Sequence, residues 1–360
     1  MIVLGLESSC DDSAAALVTS DRRILAQAVV GQTSAHQPYG GVVPEIAARA
    51  HVEILPALIQ KVLGDAKMSV HDIDAVAATA GPGLIGGVMV ALLAGKGLAL
   101  AAGKPLLAVN HLEGHALSPR LVDADLGFPY LLLLVSGGHC QLLEVRGVGD
   151  YRRLATTIDD AAGEAFDKAA KLLGLAYPGG PAIEEMAKRG NGAAVPLPRP
   201  LLGSAEPHFS FAGLKSAVQR TVASGDFKPE DIASSFQQAV VDCLVDRTTL
   251  ALRNSNAPTL VVAGGVAANQ AIRAAHLFGA FVERPAGARW NVEGIATADG
   301  KALGTGPGDH RRIIGAKPCG RNAEAPSFAA CEIGERGADC PIGRDPACDH
   351  QCWRIAIAKR

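Results

Sequence analysis

The stretch HLEGH, residues 111–115, places two imidazoles four residues apart with a carboxylate between them. On a helix, positions i and i+4 share a face, so His111 and His115 can reach one ion. Metalloproteases use the same histidine spacing in HExxH, where the general-base glutamate directly follows the first histidine. Here Glu113 lies one place later and points to another part of the helix surface, so the protease pattern fails. The spacing alone fits a metal pair or two ordinary helix histidines.

Two glycine turns offer a second chemistry. LLVSGGH (133–139) ends an apolar run at Gly137 and Gly138, whose bare amides can cradle a phosphate or carboxylate, or simply turn a hairpin. VVAGGVAAN (261–269) repeats the design. Its Gly264-Gly265 turn opens a helix whose N-terminus favours negative charge, and Asn269 can hydrogen-bond a ribose or base. Neither turn is GxGxxG, and AGPGLIGG (80–87) lacks the GK[ST] ending of a Walker A loop. In ESSCDD (7–12), Asp11 or Asp12 can position water or a metal-bound phosphate, or merely close a polar turn. Asp159, Asp160, Glu164 and Asp167 crowd the start of a helical pattern, where acids stabilise any helix, so a ligand role for Asp167 stays open. Cys10 has no evident neighbouring base and is not expected to be a nucleophile.

These residues need elements to hold them. IVLGL, AAALV and ILAQAVV read as strands separated by the turns SSCDDS and DRR. Residues 46–64 have helical spacing, with Gly64 as the expected C-cap. DAVAAT (74–79) reads as a buried strand leading through AGPGLIGG into an Ala-rich helix. PLLAVN (105–110) is a further strand, and HLEGHALSPRL opens the next helix. YLLLLV and CQLLEVRG flank the SGGH turn as a second hairpin. Residues 159–175 are an amphipathic helix broken by YPGGP (177–181). Residues 229–256 are helical, and 259–275 read as strand, glycine turn and helix. Hairpins alternating with helices, and glycine turns at strand ends, argue an α/β fold with two similar halves and a cleft between them. The division is placed at 1–110 and 111–275, with 276–360 as a separate, poorly ordered tail.

The chain has 360 residues, 48% hydrophobic and 19% charged, enough for a substantial core. A net charge of −2 gives no basic excess, so a nucleic-acid partner would be held by a local patch or by other subunits. MIVLGLESS lacks the features of a signal peptide, and the apolar stretch 84–108 is broken by Lys96 and Lys104, so it reads as a buried helix and strand. A cytoplasmic protein with no membrane contact is expected.

In order, GLESSCDD, GGVVPE (40–45), AGPGLIGG, NHLEGH, LLVSGGH, DDAAGEAFDK, YPGGP, FSFAGLK (209–215) and AGGVAAN closely resemble the motifs of the tRNA threonylcarbamoyladenosine-forming transferases, the TsaD family. The resemblance implies a two-lobed actin-like ATPase fold. It implies transfer of a threonylcarbamoyl group from threonylcarbamoyl-adenylate to N6 of adenosine 37 in tRNAs reading ANN codons. His111 and His115 match a metal pair for iron or zinc; Leu134, Val135, Ser136, Gly137, Gly138, Asp167, Gly180 and Asn269 match substrate-contacting positions. The nucleotide enters as the AMP part of the adenylate, made from ATP by a TsaC-like enzyme, and the implied partners are TsaB- and TsaE-like subunits. Asp12 stands where the family often has Glu.

After about Ala275 the resemblance stops. The family's third metal ligand, an Asp in a CTDN-like segment, has no clear match; Asp299 in TADG lies near the right distance. Five of the eight cysteines fall after residue 318, at spacings that match no common zinc finger. A shifted reading frame after about residue 275 explains that loss of pattern, and weak or absent activity of this chain is the expected consequence. Three other functions fit parts of the pattern. A sugar or acetate kinase would leave HLEGH unexplained, a metalloprotease misplaces Glu113, and a non-catalytic partner subunit would not need the histidine pair.

Overall fold

The computed structural model describes residues 1–275, apart from 124 and 256, together with 313–315. The expectations for Asp299 and for the cysteine-rich tail lie outside the described residues.

The first half builds β1 (Ile2–Glu7), β2 (Asp12–Thr19) and β3 (Ile24–Gly31), the short α1 (Thr33–His36), and the long α2 (Pro44–Asp65). It continues with β4 (Ala75–Gly81), α3 (Ile85–Ala102) and β5 (Leu106–Asn110), after which the short helices α4 (His111–Leu117) and α5 (Pro119–Val122) lead into the second half. The second half builds β6 (Tyr130–Val135), β7 (Cys140–Gly147), β8 (Asp150–Thr156), α6 (Ala162–Leu172) and α7 (Gly179–Ala187). Then come α8 (Ala212–Ser224), α9 (Pro229–Arg253), β9 (Leu260–Ala263) and β10 (Ile313–Gly315).

The two sheets repeat one topology. The first runs β3-β2-β1-β4-β5, an antiparallel meander followed by parallel β4 and β5. The second runs β8-β7-β6-β9-β10 with the same strand directions. The central strands β1, β4, β6 and β9 are buried on both faces, which is why they read as unbroken apolar runs. Leu4, Leu6 and Val76 meet Leu55 and Ala91 of α2 and α3 in one core. Leu131, Leu133 and Leu142 meet Phe166 and Phe236 of α6 and α9 in another.

Three expectations need correction. Gly64 does not cap α2: the helix runs through Asp65, and the left-handed residue that ends it is Lys67 at φ 53°. YPGGP is not only a break, because α7 starts inside it at Gly179; a proline in the first turn loses no helical hydrogen bond. The Ala-rich helix is only half buried. α3 is long and apolar enough to cross a membrane by composition, yet Val88, Ala91, Gly95 and Ala99 pack it on the first sheet. Its other face leaves Ile85, Leu93 and Leu100 exposed.

Candidate active site

Parallel β-strands deliver their C-terminal ends to one edge, where ligands of open α/β sheets bind. Here β1 ends at the Ser8–Asp11 turn, β4 at Pro82, β5 at His111, β6 at Ser136 and β9 at Gly264. These loops surround a cleft of about 890 Å³ with walls from both sheets. Asp11, Asp12, His111, His115, Ser136, Gly137, Gly138 and Asp167 all line it. Leu134 and Val135 instead lie buried in β6, and Gly180 and Asn269 stand off the lining. The Asn269 side chain donates to Gln237 Oε1 (2.7 Å) and accepts from the Ala271 and Ile272 amides, as a helix N-cap does.

The histidine helix is held firmly. Asn110 caps α4, its Oδ1 accepting from the amides of Leu112 (2.8 Å) and Glu113 (3.3 Å). Glu113 faces away from the cleft, accepting from the Tyr151 hydroxyl (2.9 Å) and the Gly149 amide (3.2 Å). It therefore docks α4 on the β7–β8 hairpin and is not placed as a general base. His111 and His115 turn their Nε2 atoms toward each other at 3.1 Å. Two nitrogens about 2.05 Å from one ion, at angles of about 90–109°, stand about 2.9–3.3 Å apart, so the pair fits two adjacent ligands of one metal. Among the described residues no third His, Cys, Asp or Glu completes a group that could hold an ion. The His139 ring lies 6.0 Å from that of His111, centroid to centroid.

Burial sets the protonation states. Burial first, then His111 and His139, holds the His115 pKa well below the ordinary histidine value, so its ring is neutral. Burial and His111 lower His139 in the same way. Burial alone would raise the Glu7 pKa, but bonds from His111, Ser9 and Thr79 together bring it below the usual glutamate value. Desolvation, followed by the Asp11 and Asp12 carboxylates, pushes the Cys10 thiol up, which agrees with its expected lack of nucleophilicity.

The glycine turns are shaped by close approach. The Ser136 Oγ accepts from the His139 amide (3.0 Å), closing the SGGH hairpin. A Cβ on Gly163 would lie 2.6 Å from Ser136 O, so α6 abuts this turn. The acids at the start of α6 all have structural work. Asp159 caps α8 through the Phe211 amide (2.7 Å), Asp160 and Glu164 hold Lys168 (2.7 and 2.8 Å), and Asp167 accepts from the Gly179 amide (2.7 Å). The lining also includes Glu7, Ser9, His139, Lys168 and Lys171, which sequence reasoning passed over. Glu7 had a signal: a carboxylate ending a fully apolar strand must find partners inside the protein.

Two lobes of one topology, facing each other across a cleft lined by glycine turns, define a protein of the two-lobed actin-like ATPase class. A full-length HypF in its phosphate- and nucleotide-bound form superposes with TM-score 0.51 at 13% identity, over 77% of this chain and 42% of that one, a likeness of fold alone. The model of the TsaD family, tRNA N6-adenosine threonylcarbamoyltransferase, matches residues 23–283. A protein of that name from Sphingopyxis alaskensis is 72% identical over 275 residues, covering 76% of this chain and 80% of its own length. Its namesake from Erythrobacter litoralis is 69% identical over the same shares. The chain belongs to the TsaD family, a family of transferases.

Proposed function

We propose that the cleft serves transfer of a threonylcarbamoyl group from threonylcarbamoyl-adenylate to N6 of adenosine 37 in tRNAs that read ANN codons, with residues 1–110 and 111–275 as its two lobes. The observation that carries this reading is the His111–His115 pair, Nε2 atoms 3.1 Å apart, opening on the same cleft as the SGGH turn. A divalent ion held by the pair, iron or zinc, would supply Lewis acidity to the carbamoyl carbonyl. The amides of Gly137, Gly138 and Gly265 suit the AMP phosphate, with Lys168 and Lys171 as nearby cations. Leu134 and Val135 set the position of that turn from within β6, and Asp167, Gly180 and Asn269 frame the α7 and post-β9 helix starts around it. Asp11 and Asp12 are first-lobe carboxylates able to take the proton released by the attacking amine. The adenosine N6 forms a bond to the carbonyl carbon, the bond from that carbon to the AMP oxygen breaks, and AMP leaves.

The near-neutral charge suits tRNA binding shared with TsaB- and TsaE-like subunits in the cytoplasm, with the adenylate supplied by a TsaC-like enzyme. Two histidines alone hold an ion weakly, and Asp299 is the candidate third ligand by its distance along the sequence from Asn269. The end of the family match at residue 283 supports the reading that turnover by this chain would be weak or absent. Incubating the purified chain with those subunits, the adenylate and tRNA, then digesting the tRNA for mass spectrometry, tests the reading. A trace of threonylcarbamoyl-adenosine that disappears in His111→Ala supports it. Full turnover would overturn the impairment, and a trace unaffected by His111→Ala would overturn the role of the pair.

A further inference from the structure

We infer that Glu7 is a positioning residue for His111: with the Ser9 hydroxyl it holds the ring's Nδ1 proton, so that the Nε2 lone pair faces His115 and the cleft. This rests on the metal reading of the pair. Glu7 is the last residue of β1 and only 4% exposed. Its Oε1 accepts from the Ser9 amide (2.5 Å), and its Oε2 accepts from the Thr79 hydroxyl at the end of β4. His111 Nδ1 lies 3.0 Å from Ser9 Oγ and 3.4 Å from Glu7 Oε2. The Ser9 hydroxyl can donate or accept, whereas a carboxylate can only accept, so the Glu7 contact is what makes Nδ1 the donor, with Ser9 Oγ as a second acceptor. In a neutral imidazole the other nitrogen then carries the lone pair, and that atom is the Nε2 standing 3.1 Å from His115 Nε2. Metal-bound histidines commonly donate their second nitrogen to a carboxylate, which fixes tautomer and ring orientation. The carboxylate reaches His111 across 104 residues of sequence, from a strand the pair does not belong to. A Glu7 that merely stapled the Ser8–Asp11 turn would leave the tautomer and metal affinity of His111 unchanged when replaced by an isostere.

The test uses the full 360-residue chain labelled with 15N-histidine, and Zn²⁺ alone as the probe. Two-bond 1H–15N spectra report each tautomer, with the His111 signals assigned by their loss in His111→Ala. Titration against a chelating dye reports zinc affinity. An Nδ1–H tautomer at His111, a loss of about 10–100-fold in zinc affinity in Glu7→Gln, and partial recovery in Glu7→Asp are expected. An Nε2–H tautomer in the unsubstituted chain overturns the inference without needing any variant to fold. Zinc binding that needs His111 but is unchanged in Glu7→Gln overturns the Glu7 role and leaves the metal reading standing. No zinc binding by the unsubstituted chain overturns both.

Discussion

Replacing Gly264 by alanine should be among the most damaging small changes in the second lobe. Gly264 follows β9 at φ 102°, a conformation that L side chains rarely adopt. An added Cβ would lie 2.1 Å from Val135 O and 2.5 Å from its carbonyl carbon, and 3.1 Å from the Ser136 amide nitrogen. All three are backbone atoms of β6 and its following turn, so no rotamer change relieves the clash. Backbone strain of about 1–3 kcal/mol and overpacking of about 1–3 kcal/mol sum to about 2–6 kcal/mol. At about 2–4 °C per kcal/mol, the melting temperature should fall by about 4–24 °C. Gly265 is the matched control, since its Cβ would meet nothing within 4 Å and its φ is not positive. Thermal unfolding of both variants by circular dichroism reads the difference. A Gly264→Ala protein within about 1 kcal/mol of the Gly265→Ala protein would refute the tight β6–β9 approach that shapes the cleft wall.

Two further outcomes follow from the site. Glu113→Gln keeps an acceptor for Tyr151 and Gly149 and should cost about 1 kcal/mol in urea unfolding, with zinc binding intact; loss of zinc binding at unchanged stability would place Glu113 in the chemistry. Stability should also fall on mild acidification. His115 stays neutral in the folded chain below 6.5, while the unfolded chain takes up a proton there, so the unfolded state binds more protons and gains as pH falls through that value. The slope reaches about 1.4 kcal/mol per pH unit for one such histidine, and His115→Gln should flatten it between pH 7 and 5. An unchanged slope in that variant would contradict the buried neutral ring.

Much of the scaffold was legible because its central strands are apolar runs bounded by glycine turns, as in YLLLLV before SGG and LVVA before GG. Edge elements were not. DYRRLAT forms β8, an edge strand whose charged residues face solvent and give no apolar alternation. The helix expected from 159 begins at 162, because Asp159 turns away to cap α8, an element hidden behind the FSFAGLK motif. At the site, the histidine pair was legible because four-residue spacing is a property of one helix. The Glu7–His111 contact was not, since only the closure of β1 against β4 and β5 brings those residues together.

The most direct measurement joins residues 1–275 of this chain to the remainder of the Sphingopyxis alaskensis relative, the fifth of its length outside the match. The chimera is assayed with partner subunits, threonylcarbamoyl-adenylate and tRNA by mass spectrometry of the digested tRNA. The expected result is robust formation of threonylcarbamoyl-adenosine, far above that of the 360-residue chain and abolished by His111→Ala. An inactive but folded chimera, or one indifferent to His111→Ala, would contradict the assignment of this cleft as the transferase site.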